Sequence, residues 1–198
     1  MPDIFQQSLI LASNSPRRKS LLSEMGFQFE VKKISVAEDY PSDLPIEQVP
    51  VFLSELKAKA SAPLLKDRKN TILITADTIV CNEQQILEKA ENPDQAKEML
   101  QLLSGKSHEV ISGICLSQEQ RKHSFSVSTK VFMKSLSSEE IHHYIEHYQP
   151  YDKAGAYGIQ EWIGLIGVEK IEGSFYNVMG LPTKELYEAL QHFSKNRN

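Results

Sequence analysis

Two adjacent arginines, Arg17 and Arg18, lie where the sequence predicts the first turn of a helix. Ser15 is a favourable N-cap residue and Pro16 a favourable first helical residue, so this helix should begin just before the arginines. Positive side chains there oppose the helix dipole, which favours anions at a helix N-terminus. The pattern therefore predicts an anion site, with phosphate as the obvious ligand. The alternative is two solvated arginines that interact with distant acids.

An aspartate interrupts the most apolar segment of the chain. Residues Thr71–Cys81 are almost continuously apolar, which predicts a strand buried on both faces, and Asp77 lies inside it. An ionised carboxylate is costly to bury unless it is paired, hydrogen-bonded or bound to a metal. Asp77 is therefore a candidate general base or metal ligand. The alternative is a structural aspartate that caps an adjacent turn through Thr75 or Thr78.

Other polar residues could complete such a site. Glu38 follows a predicted strand and could help to hold Mg²⁺, although exposed acids are common in loops. Lys57, Lys59 and Lys89 could neutralise a polyphosphate, although most lysines are simply solvated. The small residues of the loop 152–160 would let its backbone approach a ligand closely, and a structural turn explains this loop equally well.

Three further patterns do not indicate a site. The segment 105–107 resembles the end of a phosphate-binding loop, but it lacks the required first glycine and follows a predicted helix. His143 and His147 have helical i,i+4 spacing, but no third metal ligand accompanies them, which favours a solvated face. Ser13 and Ser15 lack the glycines of a nucleophile elbow, so we interpret them as anion donors or helix caps.

The elements that must position these residues predict an α/β fold. A strand at 8–12 followed by the arginine-bearing helix is a common frame for phosphate sites. Hydrophobic periodicity predicts further strands at 27–36, 71–81, 110–117, 125–134 and 162–171. It predicts helices at 46–62, between 92 and 105, and at 182–193. A capping box formed by Ser137 and Glu140 predicts the start of one more helix. No linker or repeat is visible, so we expect one continuous domain over residues 1–198, with mixed strand directions.

The composition excludes several functional classes. The chain has 198 residues, a net charge of −4 and 40% hydrophobic residues, which argues against general binding to nucleic acid or to anionic membranes. Cys81 and Cys115 lie in apolar runs and resemble buried thiols of a reducing compartment. We see no signal peptide and no segment of membrane-spanning length. These observations predict a cytoplasmic protein without structural zinc.

Several motifs together resemble the Maf family of nucleoside triphosphate pyrophosphatases. They are LASNSPRRKSLL at 11–22, ITADTIV at 74–80, LEK at 87–89, YDKAGAYGIQ at 151–160 and NVMGLP at 177–182. The GIQ ending resembles the branch that hydrolyses dTTP and UTP. The resemblance implies a long mixed β-sheet flanked by helices, similar to inosine triphosphate pyrophosphatases, with two lobes around a cleft. It also implies a nucleoside triphosphate as substrate and, commonly, a homodimer.

The resemblance also implies roles for individual residues. Asp77 matches the proton acceptor and, with Glu38, a site for Mg²⁺ or Mn²⁺. The positions that match residues setting base preference are Arg17, Thr78 and Gln160. Those that match residues lining the phosphate and metal site are Ser13, Arg18, Glu38, Lys57 and Lys89. The chain departs from the family pattern after Lys89, where it has Ala90-Glu91-Asn92, and after Gln160, where it has Glu161-Trp162.

Two alternatives to a dTTP/UTP pyrophosphatase remain from the sequence. One is a non-catalytic nucleotide-binding regulator of cell division, which the retained Asp77 and Lys89 disfavour, since a mere binder does not need a buried carboxylate near an anionic ligand. The other keeps the same chemistry but prefers 7-methyl-GTP or CTP.

Overall fold

The computed structural model describes residues 3–82 and 85–195, which form two compact units. Unit 1 comprises residues 3–77, 112–127 and 180–195, and unit 2 comprises the described residues of Thr78–Ile111 and Ser128–Met179. Because each unit is built from separate chain segments, no single point in the sequence divides them. The expectation of one continuous domain stays a prediction.

The element bounds within the described residues are as follows. The strands are β1 (Ser8–Ala12), β2 (Phe29–Lys32), β3 (Thr71–Cys81), β4 (Ile86–Leu87), β5 (Ser107–Gln118), β6 (Arg121–Met133) and β7 (Val168–Glu172). The α-helices are α1 (Pro16–Glu24), α2 (Val49–Ser61), α3 (Pro93–Leu103), α4 (Ser138–Tyr148), α5 (Trp162–Gly167), α6 (Phe175–Val178) and α7 (Thr183–Lys195). Short 3₁₀ turns lie at Asp3–Gln6, Ile46–Gln48 and Ala62–Leu65.

The strands form one mixed sheet in the order β2-β1-β3-β5-β6-β7, with β4 paired to β3. Strand β1 runs parallel to both neighbours, so that Leu9 lies opposite Phe29 on one side and Ile72 on the other. The β3–β4 and β6–β7 pairs are antiparallel. Strands β5 and β6 are joined by only two residues, a connection that can link only antiparallel neighbours. The predicted α/β fold with a mixed sheet is therefore confirmed.

Burial explains the apolar character of the parallel strands in unit 1. Ile10, Ala12 and Leu73 are almost completely buried, and the partly buried Leu64 and Leu65 of the last 3₁₀ turn pack against them. Parallel strands covered by helices have two buried faces, which is why β1 and β3 show near-continuous apolar runs. Asp77 is the last residue of β3 that belongs to unit 1.

Unit 2 has its own apolar core. Leu100 of α3 and Ile141 and Tyr144 of α4 are buried in it, together with Val131 of β6 and Ile163 of α5. Local signals set the starts of these helices. Asn92 Oδ1 accepts the backbone N–H of Gln95 at the start of α3, and the predicted capping box at the start of α4 is confirmed in both directions.

The predicted strand at 162–171 is wrong over its first half. Residues Trp162–Gly167 form helix α5, and only Val168–Glu172 form a strand. Ile163 and Gly167, four residues apart, are buried, while Leu165 is 80% exposed, which is helical rather than alternating burial. A short apolar run cannot be assigned to a helix or a strand from periodicity alone. The second predicted strand is shorter than expected and spans Phe29–Lys32.

Both cysteines match the sequence interpretation. Cys81 and Cys115 are both buried, and neither forms a disulfide within the described residues. Within residues 3–82 and 85–195, no helix is long and apolar enough to span a membrane.

Candidate active site

The β1–α1 junction places Ser13, Ser15 and Arg18 in one hydrogen-bonded turn of unit 1. The backbone N–H of Ser13 donates to Lys32 O at 3.1 Å, which fixes the end of β1 against β2. Ser13 Oγ accepts the N–H of Ser15 at 3.2 Å, and Ser15 Oγ accepts the N–H of Arg18 at 3.4 Å. Ser15 is therefore the N-cap of α1, as predicted, with Pro16 as its first residue.

The Arg18 side chain is anchored to two backbone carbonyls. Its Nε donates to Gly180 O and its Nη1 donates to Ala76 O, each at 2.9 Å. Burial lowers the pKa of Arg18, and the Asp77 carboxylate partly offsets that effect. A planar guanidinium can make these two contacts at once, because its donors point in fixed, separate directions. Arg18 therefore links α1 to the middle of β3 and to the turn before α7, while its predicted role as a phosphate ligand stays a prediction.

Replacing Arg18 with lysine should destabilise the protein although the charge is kept. An ammonium group cannot reproduce the guanidinium fork, so at least one buried carbonyl loses its partner. We expect the free energy of unfolding to fall by about 2 kcal/mol, the usual size for a lost hydrogen bond to a charged group. Urea denaturation of Arg18→Lys beside Lys19→Arg, a conservative change at an exposed neighbour, measures this. Equal stability of the two variants would contradict this structural role.

Asp77 is buried and forms an ion pair with Lys57. Lys57 Nζ contacts Asp77 Oδ1 directly and lies 2.9 Å from Glu38 Oε1. The side chains of Lys57 and Asp77 are each only 9% exposed, whereas that of Glu38 is 50% exposed. A buried carboxylate of this kind needs a cationic partner, and Lys57 supplies it. We call these three residues the Glu38–Lys57–Asp77 cluster.

Helix α2 brings Lys57 to the cluster. Thr75 Oγ1 donates to Ser54 O at 2.7 Å, which ties α2 to β3 less than one turn before Lys57. The Thr75 hydroxyl is therefore used in this contact with α2. The alternative considered from the sequence, in which Asp77 caps a turn through Thr75 or Thr78, is not tested by this contact. The sequence suggested Lys57 only as a neutraliser of phosphate. Its spacing from Asp77 gives no signal of their pairing, because the two residues lie on different elements 20 positions apart.

One loop, residues 152–160, contains Gln160 and contacts the segment of Lys89, two of the predicted site residues of unit 2. Thr78 is half-buried in β3, while Lys89 and Gln160 are exposed. Lys89 forms an isolated antiparallel bridge with Ala154, and the N–H of Gly155 donates to both Leu87 O and Glu88 O at 3.1 Å. The structure therefore brings the Lys89 segment and the loop 152–160 together.

Gly155 is required by the conformation of this loop. Its φ is +68°, a left-handed value that favours glycine. A Cβ atom at this position would lie 2.9 Å from Val80 Cγ1. The sequence interpretation was that the small residues of this loop permit close approach of a ligand. At Gly155 the close approach is to the protein's own strand β3.

A buried histidine fixes the middle of the same loop. His108 Nε2 and Tyr157 OH lie 2.7 Å apart, and both residues are buried. Burial lowers the pKa of His108 to about 4, and burial raises the pKa of Tyr157 above its ordinary value. At neutral pH both side chains are therefore uncharged. The sequence contained no signal for this pair, because the two residues are 49 positions apart.

The His108 pKa predicts a loss of stability in acid. The histidine of the unfolded chain takes up a proton near pH 6.5, whereas the folded one stays neutral until about pH 4. The contribution of His108 to the free energy of unfolding is therefore complete above pH 6.5 and is lost as the pH falls from 6.5 to about 4. Between pH 7.5 and pH 5 we expect His108 to account for a fall of about 2 kcal/mol. Urea denaturation at both pH values should show that His108→Gln loses correspondingly less stability than the native chain. Identical pH dependence of the two proteins would contradict this interpretation.

No cluster of three or more histidine, cysteine or acidic side chains suited to a metal ion occurs in the described part of the chain. On α4 the rings of His143 and His147 stack at 4.2 Å, and His147 Nδ1 lies 2.8 Å from His143 O. Both histidines are exposed, which agrees with the interpretation that they belong to a solvated helix face.

Comparison with known proteins gives matches over nearly the whole chain. A family model described as "Maf-like protein" matches residues 8–193. A dTTP/UTP pyrophosphatase of Porphyromonas gingivalis is 46% identical, and the alignment covers 99% of each chain. A dTTP/UTP pyrophosphatase of Bacteroides thetaiotaomicron is 49% identical over 92% of this chain and 94% of that protein. A solved dITP/XTP pyrophosphatase of Mycobacterium abscessus aligns with a TM-score of 0.46 and 12% identity over 96% of this chain and 98% of that one.

Proposed function

The chain belongs to the Maf-like family, and we propose that it is a nucleoside triphosphate pyrophosphatase that hydrolyses dTTP and UTP. The products are the nucleoside monophosphate and pyrophosphate. The observation in the structure that carries the proposal is the buried Asp77 carboxyl group, which forms an ion pair with Lys57 at the end of the part of β3 that belongs to unit 1. The curated relatives named dTTP/UTP pyrophosphatase support the choice of substrate.

Asp77 is the proposed general base. It removes a proton from water, whose oxygen bonds to the α-phosphorus as the bond from that phosphorus to the α,β-bridging oxygen breaks. Pyrophosphate leaves with the electron pair of that bond, and the proton stays on Asp77. Positioning and charge neutralisation provide most of the acceleration in phosphoryl transfer, so no protein nucleophile is needed.

The cationic residues neutralise the triphosphate in this proposal. The residues concerned are Arg18, Lys57 and Lys89, with Ser13 as a hydroxyl donor. Lys57 is oriented by Glu38 and Asp77, which hold its ammonium beside the proposed base. Lys89 is exposed, and its backbone is fixed through Ala154.

The Glu38–Lys57–Asp77 cluster also fits a divalent cation. Glu38 and Asp77 converge on a single ammonium group, so their carboxylates lie close enough to share a cation. Mg²⁺ and Mn²⁺ prefer oxygen ligands, and Mg²⁺ commonly binds one or two carboxylates together with substrate phosphates and water. Glu38 and Asp77 would hold the ion, which would polarise the phosphate oxygens when bound.

Base preference is assigned to Arg17, Thr78 and Gln160 in this proposal. The Gln160 amide is exposed and offers both a donor and an acceptor. That pattern complements the imide edge that uracil and thymine share. Cytosine lacks this edge, so CTP should be the weaker substrate.

A nucleotide panel tests the proposal. Pyrophosphate release is measured from dTTP, UTP, CTP and 7-methyl-GTP with Mg²⁺ or Mn²⁺, with and without chelator. Turnover led by dTTP or UTP and abolished by chelator is expected. Binding of dTTP without any release under either metal would instead support the regulatory binder, and turnover led by 7-methyl-GTP or CTP would overturn the assigned base preference.

We propose in addition a cytoplasmic homodimer that binds neither nucleic acid polymers nor membranes. The two buried cysteines, neither of which forms a disulfide within the described residues, support a reducing compartment, and the net charge of −4 argues against polyanionic partners. Light scattering coupled to size-exclusion chromatography tests the dimer, for which about twice the chain mass of 22.5 kDa is expected.

A further inference from the structure

Glu161, which directly follows Gln160, is held at both of its carboxylate oxygens. Glu161 Oε1 lies 3.0 Å from Lys153 Nζ, and Glu161 Oε2 accepts a hydrogen bond from Tyr144 OH. Lys153 and Tyr144 are both buried. Burial, strengthened by the nearby Glu161 charge, raises the pKa of Tyr144, so its hydroxyl is protonated and donates.

The same hydroxyl closes the turn that contains Gln160. The N–H of Gly158 donates to Tyr144 OH at 3.0 Å, and the N–H of Glu161 donates to Gly158 O at 3.0 Å. Tyr144 thus contacts the first and last residues of the segment 158–161. Gln160 is exposed between these fixed ends, next to the buried Ile159.

The charge balance of the loop depends on Glu161. Lys153 is 10% exposed at its side chain and has two acidic partners, Asp152 at 2.6 Å and Glu161 at 3.0 Å. Asp152 is 54% exposed and Glu161 only 20%, so solvent screens the Asp152 pair more strongly. Without the Glu161 charge, the buried Lys153 ammonium would keep only the more exposed partner, which is strongly unfavourable. The loop would then have to rearrange.

We propose that Glu161 is a positioning residue that fixes the Gln160 amide through Lys153 and Tyr144 and thereby sets the preference for uracil and thymine over cytosine. This inference rests on the proposed function, because it takes Gln160 to contact the base. An amide held in one orientation distinguishes the imide edge of uracil from the amine edge of cytosine. An amide that turns freely offers a donor or an acceptor to either base.

The test compares Glu161→Gln and Tyr144→Phe with a matched control. Glu161→Gln keeps an acceptor for Tyr144 but removes the charge beside Lys153, while Tyr144→Phe keeps the ring and removes the hydroxyl. The control is Glu140→Gln, because Glu140 of the same unit likewise pairs with a lysine, Lys134 at 2.7 Å, and accepts a backbone N–H, from Ser137 at 2.8 Å.

The readouts are kcat and KM for UTP and CTP, together with calorimetric binding of their non-hydrolysable α,β-imido analogues. In both test variants we expect KM for UTP to rise about tenfold and kcat to change less than about threefold, the signature of lost ground-state binding. The UTP-to-CTP ratio of kcat/KM should fall about tenfold, and the ratio of analogue affinities should follow it. Glu140→Gln should lower the melting temperature and leave both ratios unchanged.

Each outcome decides between distinct conclusions. Native-like UTP-to-CTP ratios in a folded Glu161→Gln or Tyr144→Phe variant would overturn the positioning role. If the native chain released no pyrophosphate, the proposed function would fail, and the analogue affinities would still test the inference. Emission of Trp162, the single tryptophan, reports whether the adjacent loop has moved in each variant.

Discussion

Asp77→Asn is expected to lower kcat for pyrophosphate release by about 10²–10⁴-fold, the usual contribution of a general base. Asparagine has nearly the same size as aspartate, and its amide oxygen can still accept a hydrogen bond from Lys57. It cannot take up the proton of the attacking water. At saturating Mg²⁺, KM should change much less than kcat, because the cationic residues proposed to neutralise the triphosphate are all kept, and the loss should persist at saturating substrate.

Glu55→Gln is the matched control for this experiment. Glu55 also lies on α2, two positions before Lys57, and forms a surface ion pair with Lys122 at 2.8 Å. Removing one acid there leaves the Asp77 carboxylate intact, so kcat should stay close to the native value. If Asp77→Asn had near-native turnover and native thermal stability, Asp77 would not be the general base.

Lys57→Met is expected to lower the free energy of unfolding by about 3–5 kcal/mol at pH 7, the range found when one partner of a buried ion pair is removed. Methionine fills a similar volume, so the loss comes from the charge. It leaves the Asp77 carboxylate, 9% exposed at its side chain, without the ammonium that compensates its burial. Equilibrium denaturation in urea measures this change.

A double-mutant cycle separates the ion pair from simple packing. In Lys57→Met with Asp77→Asn, no unpaired charge remains at position 77, so the double variant should be more stable than Lys57→Met alone. The control Lys59→Met changes an exposed lysine of the same helix and should alter stability by less than about 0.5 kcal/mol. Additive effects of the two cluster substitutions would show that Lys57 and Asp77 are not energetically coupled.

Local sequence signals predicted much of the fold. The predicted N-cap at Ser15 and the predicted capping box at Ser137 are both confirmed, because a cap depends on residues only two or three positions away. Strand β3 was predicted with its observed bounds. The segment from Trp162 was assigned wrongly, because its helix is set by what Ile163 and Gly167 pack against and not by its own periodicity.

The sequence by itself determined that Asp77 would need a compensating partner, because a carboxylate within an apolar, buried strand is unfavourable without one. It did not determine which partner. In the folded chain Asp77 forms an ion pair with Lys57. Arg18 donates a hydrogen bond to the carbonyl of Gly180, 162 positions away, and Glu161 accepts one from Tyr144. Such pairings bring together residues far apart in the chain, and their energies depend on how deeply both groups are buried. Burial of this kind exists only after the elements have packed.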